Sequence, residues 1–101
     1  MALSRRALNP TEVVTRLGAL PGWQLAGSGA DVAIEKAFAF GNYHETLAFV
    51  NAVAFIAHRL DHHPDLSVHY RRCVVRYSTH SVQGLTELDF ECASRVDALL
   101  A

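Results

Sequence analysis

Three helix starts punctuate this chain and constrain its fold more tightly than anything else in it. In "LNPTEV", Asn9 is placed as an N-cap, Pro10 sits where a helix loses nothing by lacking an N–H, and Glu12 closes a capping box, with Leu8 and Val13 as hydrophobic staple. "GNYHETL" repeats that spacing with Asn42 and Glu45, and "LTELDF" approximates it with Thr86 and Asp89, stapled by Leu85 and Phe90. Helices are therefore predicted over residues 10–19, 42–60 and 86–100 of the 101-residue chain.

The stretches between the helices alternate. Trp23 and Leu25 predict a short strand; past a Gly-rich turn, Val32, Ile34, Phe38 and Phe40 form one apolar face against Ala33, Glu35, Ala37 and Ala39. Beyond Pro64, Leu66, Val68 and Tyr70 alternate with Ser67 and His69, and Cys73, Val75 and Tyr77 with Val74, Arg76 and Ser78. Each pair reads as a hairpin, the second turning near Tyr70 to Arg72. The order α-β-β-α-β-β-α predicts an α+β fold over residues 1–101, a four-stranded antiparallel sheet with three helices packed on one face.

Composition removes several functions. Nine Lys and Arg against ten Asp and Glu give a net charge of −1, with no basic footprint for a phosphate backbone, so direct nucleic-acid binding is not expected. No apolar run approaches the roughly 18 residues of a membrane span. "MALSRRALNPTEVV" lacks the apolar stretch of a secretory signal, so a cytoplasmic protein is expected, with Cys73 and Cys92 reduced.

The middle helix carries a message about assembly. In "ETLAFVNAVAFIAHRL" one stripe runs Phe49, Val53, Ile56, Leu60 and another Leu47, Val50, Ala54, Ala57. A helix apolar on nearly all sides needs a second partner, and in a small domain another subunit is the simplest one. An oligomer is predicted.

Histidines supply the candidate chemistry. "HRLDHHPDLSVHY", residues 58–70, holds four of the six in the chain, and imidazole is the side chain whose ordinary titration lies near neutrality. His62, His63 and Pro64 end the long helix, because the residue before a proline is pushed out of helical geometry. His80, in "YSTHSVQG", is expected where the fourth strand runs into the loop before the last helix, with alternation putting it on the face of Ser78 and Arg76. An antiparallel hairpin brings the start of one strand beside the end of the other, so His62, His63 and His80 should converge. Two chemistries fit. His58 and His62, one helical turn apart, could ligate a metal with His80, with Asp61 and Asp65 as outer partners. Alternatively one imidazole donates a proton and another accepts one, without metal.

These residues resemble the pterin-4a-carbinolamine dehydratase family. His58, His62, His63, Pro64, Tyr70, His80 and Asp89 fall at the family's motif positions, and "PGW" at Trp23 and the strand end "FAF" extend the likeness over nearly the whole chain. The resemblance implies dehydration of a 4a-hydroxytetrahydropterin to the quinonoid dihydropterin, without cofactor or metal. It implies His62 and His80 as the acid–base pair, His63 as a pterin holder that completes the catalytic set, and Pro64, Thr79 and Ser81 as pocket lining. It also implies dimers through sheet edges or tetramers through the long helices.

Three departures stand out: His58 where many members have Glu, Leu66 where they have Trp, and Leu88 where they have Arg. The first removes a carboxylate that could orient an imidazole, leaving His58 and Asp61 at most supporting roles. Asp89 is read mainly as a capping residue, and His44 and His69 as outside the site. The same fold also serves non-catalytic partners, as Rubisco assembly factors and, in animals, as dimerisation cofactors of a homeodomain transcription factor. Retention of all three histidines favours the enzyme.

Overall fold

A computed structural model of the protein describes residues 3–101. Its helices are α1 (Pro10–Leu17), α2 (Tyr43–Leu60) and α3 (Glu87–Ala98), and its strands β1 (Gln24–Ala26), β2 (Ala33–Ala39), β3 (Asp65–Val68) and β4 (Arg72–Tyr77). The order is the predicted one, and the α+β fold stands. All pairings are antiparallel, in the spatial order β1-β2-β4-β3, so both hairpins form and the second strands of each meet at the centre.

Local chemistry sets the boundaries. Asn9 Oδ1 accepts from the Glu12 backbone N–H at 2.9 Å while Glu12 Oε1 accepts from that of Asn9 at 3.0 Å, the reciprocal box that starts α1. Asn42 accepts from the Glu45 N–H at 2.8 Å, but Glu45 reaches past it to the Gly41 N–H. α1 stops two residues short of expectation, since Ala19 and Leu20 bond carbonyls three residues back and tighten the last turn. α3 likewise begins and ends inside its predicted span. β3 ends at Val68, and Tyr70 lies in the turn expected near Tyr70 to Arg72, closed by the His69 N–H on the Arg72 carbonyl.

The core fills one face of the sheet. Ile34 and Phe38 of β2 with Cys73, Val75 and Tyr77 of β4 are buried under Phe49, Val53 and Ala57 of α2 and Cys92, Ala93 and Val96 of α3. Lys36 is the exception that alternation places on this side. Its ammonium escapes to the rim, donating to Asp97 Oδ1 (3.0 Å) and the Pro21 carbonyl (3.1 Å), and Asp97 also takes the Trp23 indole N–H at 3.1 Å. Trp23 precedes β1 rather than lying in it.

The two stripes of α2 part company. Phe49 and Val53 point inward with Ile56 and Leu60 half-covered, whereas Leu47 and Ala54 of the second stripe stay exposed beside Phe55, which is 62% exposed. Among the described residues no helix is long and apolar enough to cross a membrane.

Candidate active site

The end of α2 is a tightly built corner. Asp61 takes a left-handed conformation (φ 50°, ψ 46°), the Asp61 N–H turns back to the His58 carbonyl, and the His62 N–H reaches the Ala57 carbonyl at 3.1 Å. This is a Schellman closure with Asp, tolerated in left-handed geometry, where glycine is commonest. Pro64 prevents the helix from resuming, and β3 begins at Asp65. The position of His62 is thus fixed by backbone hydrogen bonds.

The other half of the corner is the segment after β4. The strand ends at Tyr77, one step before Ser78, and His80 lies in the loop that follows, as expected of the strand-to-loop junction, but without the strand's alternation. The Thr79 N–H donates to the Gly84 carbonyl at 3.0 Å, the return bond closes the loop, and His80–Val82 form one 3₁₀ turn between them. His80 is therefore displayed at a loop tip rather than on the face of Arg76. A cleft of about 290 Å³ lies between the two halves, lined by Asp61, His62, His63, Ser78, Thr79, His80 and Ser81, with Arg5 from the N-terminal arm.

Beneath the cleft runs a buried polar chain. His62 Nε2 lies 2.5 Å from Asp89 Oδ1, and Asp89 is fully buried. Its other oxygen accepts from the Thr79 hydroxyl at 2.7 Å and the Thr86 backbone N–H at 2.9 Å, and the Thr79 and Thr86 hydroxyls are 2.9 Å apart. A carboxylate offers only acceptors, so this contact selects the tautomer with the proton on Nε2 and leaves Nδ1 as the basic lone pair. The Tyr77 ring stacks on the same imidazole, 5.8 Å between centroids at 14°. Burial, then the neighbouring Cys92 and Asp89, push the Tyr77 phenol above its ordinary range. Cys92 is close enough to influence that titration yet outside hydrogen-bond geometry, so the phenol has no partner among the described residues. The Cys92 thiol is itself pushed up to about 12, chiefly by burial, and is chemically quiet. Cys73 and Cys92 are both free and buried.

The predicted residues divide cleanly. His62, His63 and His80 share the cleft with Asp61, Thr79 and Ser81, but Pro64 is half-buried at the corner and is not among the lining residues. His58 faces solvent outside the cleft, as do His44 and His69. Among the described residues no group of three or more His, Cys, Asp or Glu side chains is placed to hold a metal ion.

A family model described as Pterin 4 alpha carbinolamine dehydratase matches residues 6–99. The chain belongs to this family. A Paracidovorax citrulli protein carrying the pterin-4-alpha-carbinolamine dehydratase name is 67% identical over 99% of this chain and 86% of its own length. One from Xanthomonas campestris with the same name is 55% identical over 95% and 80%. Among solved structures, a transcriptional coactivator/pterin dehydratase from Brucella melitensis superposes with a TM-score of 0.88 at 34% identity, over 95% of this chain and all of that one. A pterin dehydratase-like protein identified as a RuBisCO assembly factor of the alpha-carboxysome is more distant, with a TM-score of 0.65 at 28% identity over 77% of this chain and 88% of that one.

Asp89 is the residue whose second role the sequence reading missed. Loss of Glu at position 58 suggested that no carboxylate was left to orient an imidazole, yet Asp89 does so from α3 while also capping that helix. The available signal was valence: capping occupies one carboxylate oxygen and leaves the other free in a buried setting, where it requires a donor. The Tyr77 ring on His62 is a second contact that strand alternation alone does not reveal.

Proposed function

We propose that this chain is a hydro-lyase that removes water from 4a-hydroxytetrahydropterin to give the quinonoid dihydropterin, as its family's name implies. The reading rests on one observation above all: three imidazoles line a single cleft, and the innermost is hydrogen-bonded to a buried carboxylate. The C4a–O bond breaks as an acid protonates the departing hydroxyl, and a base takes a ring N–H proton. The reaction moves no electrons between molecules, so an acid and a base suffice. His80, exposed and on a short loop, and His62, held by Asp89, take these two parts, with His63 and the Thr79–Ser81 segment holding the pterin. An imidazole already bonded to Asp89 changes charge without losing its partner, which suits it to cycling between proton states.

Assembly belongs to the same reading. The outer face of α2 leaves Leu47, Ala54 and Phe55 uncovered, and beside it a groove of about 430 Å³ is lined by apolar residues, among them Phe40, Phe49, Leu99 and Leu100, with Glu45 as the one charged side chain. A second copy of the chain covers this face, giving a homo-oligomer, and the two free cysteines suit the cytosol.

The deciding experiment generates 4a-hydroxytetrahydropterin enzymatically and follows its dehydration. The wild-type chain should accelerate it well beyond the spontaneous rate. A rate equal to the uncatalysed one would leave the protein as a binding partner, the role named for the RuBisCO assembly factor.

A further inference from the structure

A second cleft, of about 350 Å³, shares a lining residue with the histidine cleft. Arg5 lines both. The two are also neighbours along the chain: Leu60 and Leu88 line the second, while Asp61 lines the first and Asp89 bonds its His62. Three of the nine basic residues gather in the second cleft, Arg5, Arg59 and Arg95, against Glu91 as the sole carboxylate in its lining. Glu91 is already engaged by Arg95 Nε at 2.8 Å. Arg5 spends one nitrogen on the Asp61 carbonyl at 3.0 Å, and Arg59 lies 5.9 Å from the Phe55 ring. Among the described residues neither Arg5 nor Arg59 pairs with a carboxylate. In a chain of net charge −1, this is a local excess of donors in a concavity rather than a solvated charged surface.

We propose that this cleft binds an anionic group carried on the side chain of the pterin, so that the preferred substrate is a pterin whose side chain ends in a phosphate or carboxylate. The proposal rests on the dehydratase reading and names its substrate class. Ligand sites commonly span about 300–1,000 Å³, and the histidine cleft at about 290 Å³ lies at the bottom of that range. A larger ligand therefore extends past it, and the neighbouring cleft that shares Arg5 is lined by three arginines. Arginine presents paired N–H groups that match the oxygens of phosphate and carboxylate, and such charge-assisted bonds are the stronger kind. Arg5, at the junction, reaches both the ring and the anion.

The test measures binding of two stable probes, a 7,8-dihydropterin with a hydroxyalkyl side chain and the phosphate monoester of the same compound, by calorimetry at low ionic strength. The monoester should bind about tenfold tighter or more, a difference of about 1.4 kcal/mol, and the advantage should shrink as salt is raised. Arg59→Gln and Arg95→Gln should each erode that preference while leaving affinity for the neutral probe unchanged. Inorganic phosphate added with the neutral probe should not reproduce the gain, which separates an attached anion from a free effector. Equal affinities, a preference that survives both substitutions, or a gain reproduced by inorganic phosphate would overturn the inference. Dehydration of a neutral 4a-hydroxytetrahydropterin, measured separately, reports on the enzyme reading alone.

Discussion

Removing Asp89 is the severest single perturbation the structure offers short of disrupting the core. Asp89→Ala leaves three buried partners without an acceptor: His62 Nε2, the Thr79 hydroxyl and the Thr86 N–H. Breaking a buried pair by deleting one member costs ~3–5 kcal/mol, and loss of the α3 cap accounts for ~1 kcal/mol within or beyond that. The Thr79 hydroxyl can turn to Thr86 Oγ1, 2.9 Å away, so the total should stay near ~4 kcal/mol. In urea, with a slope of ~1–3 kcal/mol per M, the unfolding midpoint should fall by more than ~1 M. Asp89→Asn is subtler. Its carbonyl oxygen can keep Thr79 and Thr86, but its NH₂ then faces His62 and forces the proton from Nε2 to Nδ1. Stability should drop by only ~1–2 kcal/mol while turnover falls further, and ¹⁵N chemical shifts of His62 should report the exchanged tautomer. An Asp89→Ala midpoint within ~0.5 kcal/mol of wild type, the range of ordinary surface changes, would refute the buried-network argument.

His62→Ala and His80→Ala should each lower kcat by ~10²-fold or more in the dehydration assay, with His63→Ala acting mainly on KM; near wild-type turnover in the first two would remove them from the chemistry. Phe55→Glu changes a residue 62% exposed in the single chain, so it should leave the circular dichroism spectrum intact while sedimentation shows the mass falling to 11.1 kDa. A wild-type protein already at that mass would dispose of the α2 interface. Tyr77→Phe deletes a buried hydroxyl with no partner among the described residues and keeps the ring on His62, so thermal denaturation should show unchanged or higher stability. A large loss would mean that the hydroxyl is bonded after all. Glu12 is held at about 2, first by the Arg6 guanidinium and then by the Asn9 N–H. Its folded value lies below the ordinary 4.5, so its contribution is full above 4.5 and is lost as pH falls toward 2. The Tm gap between wild type and Glu12→Gln should close over that window, and a gap constant with pH would contradict the assignment.

The elements of this fold were legible because their determinants are local. Asn9 and Glu12 satisfy each other within one helical turn, and Pro64 keeps α2 from resuming beyond its Asp61 cap, so a short window of sequence suffices. Register and termination are less local. β4 ends at Tyr77 because Thr79 bonds Gly84 across a loop and turns its hydroxyl to Asp89, ten residues on. Alternation alone carries the strand's facing on to His80, which the 3₁₀ turn instead re-aims. The Lys36 position follows the same logic: its place on the helix side becomes intelligible only once Asp97, far along the chain, is seen to receive its ammonium.

The site divides along the same line. Clustering and the hairpin's return bring His62, His63 and His80 together, and both features are written in sequence order. What tunes them is not. The carboxylate that orients His62 comes from α3, and the cap spacing that made Asp89 predictable also supplied a sufficient reason for it to be there. A side chain with two oxygens can satisfy two demands, and burial turns the second from an option into a requirement, because an unpaired carboxylate oxygen at zero exposure is too costly to keep. The departure at position 58 then loses its force. A carboxylate there would lie on the solvent-facing side of α2, outside the cleft, whereas Asp89 already reaches Nε2 of His62 from a fully buried position. His58→Glu should therefore change activity little compared with any substitution at Asp89, and a gain comparable to the loss in Asp89→Asn would show that orientation of His62 is shared between the two helices.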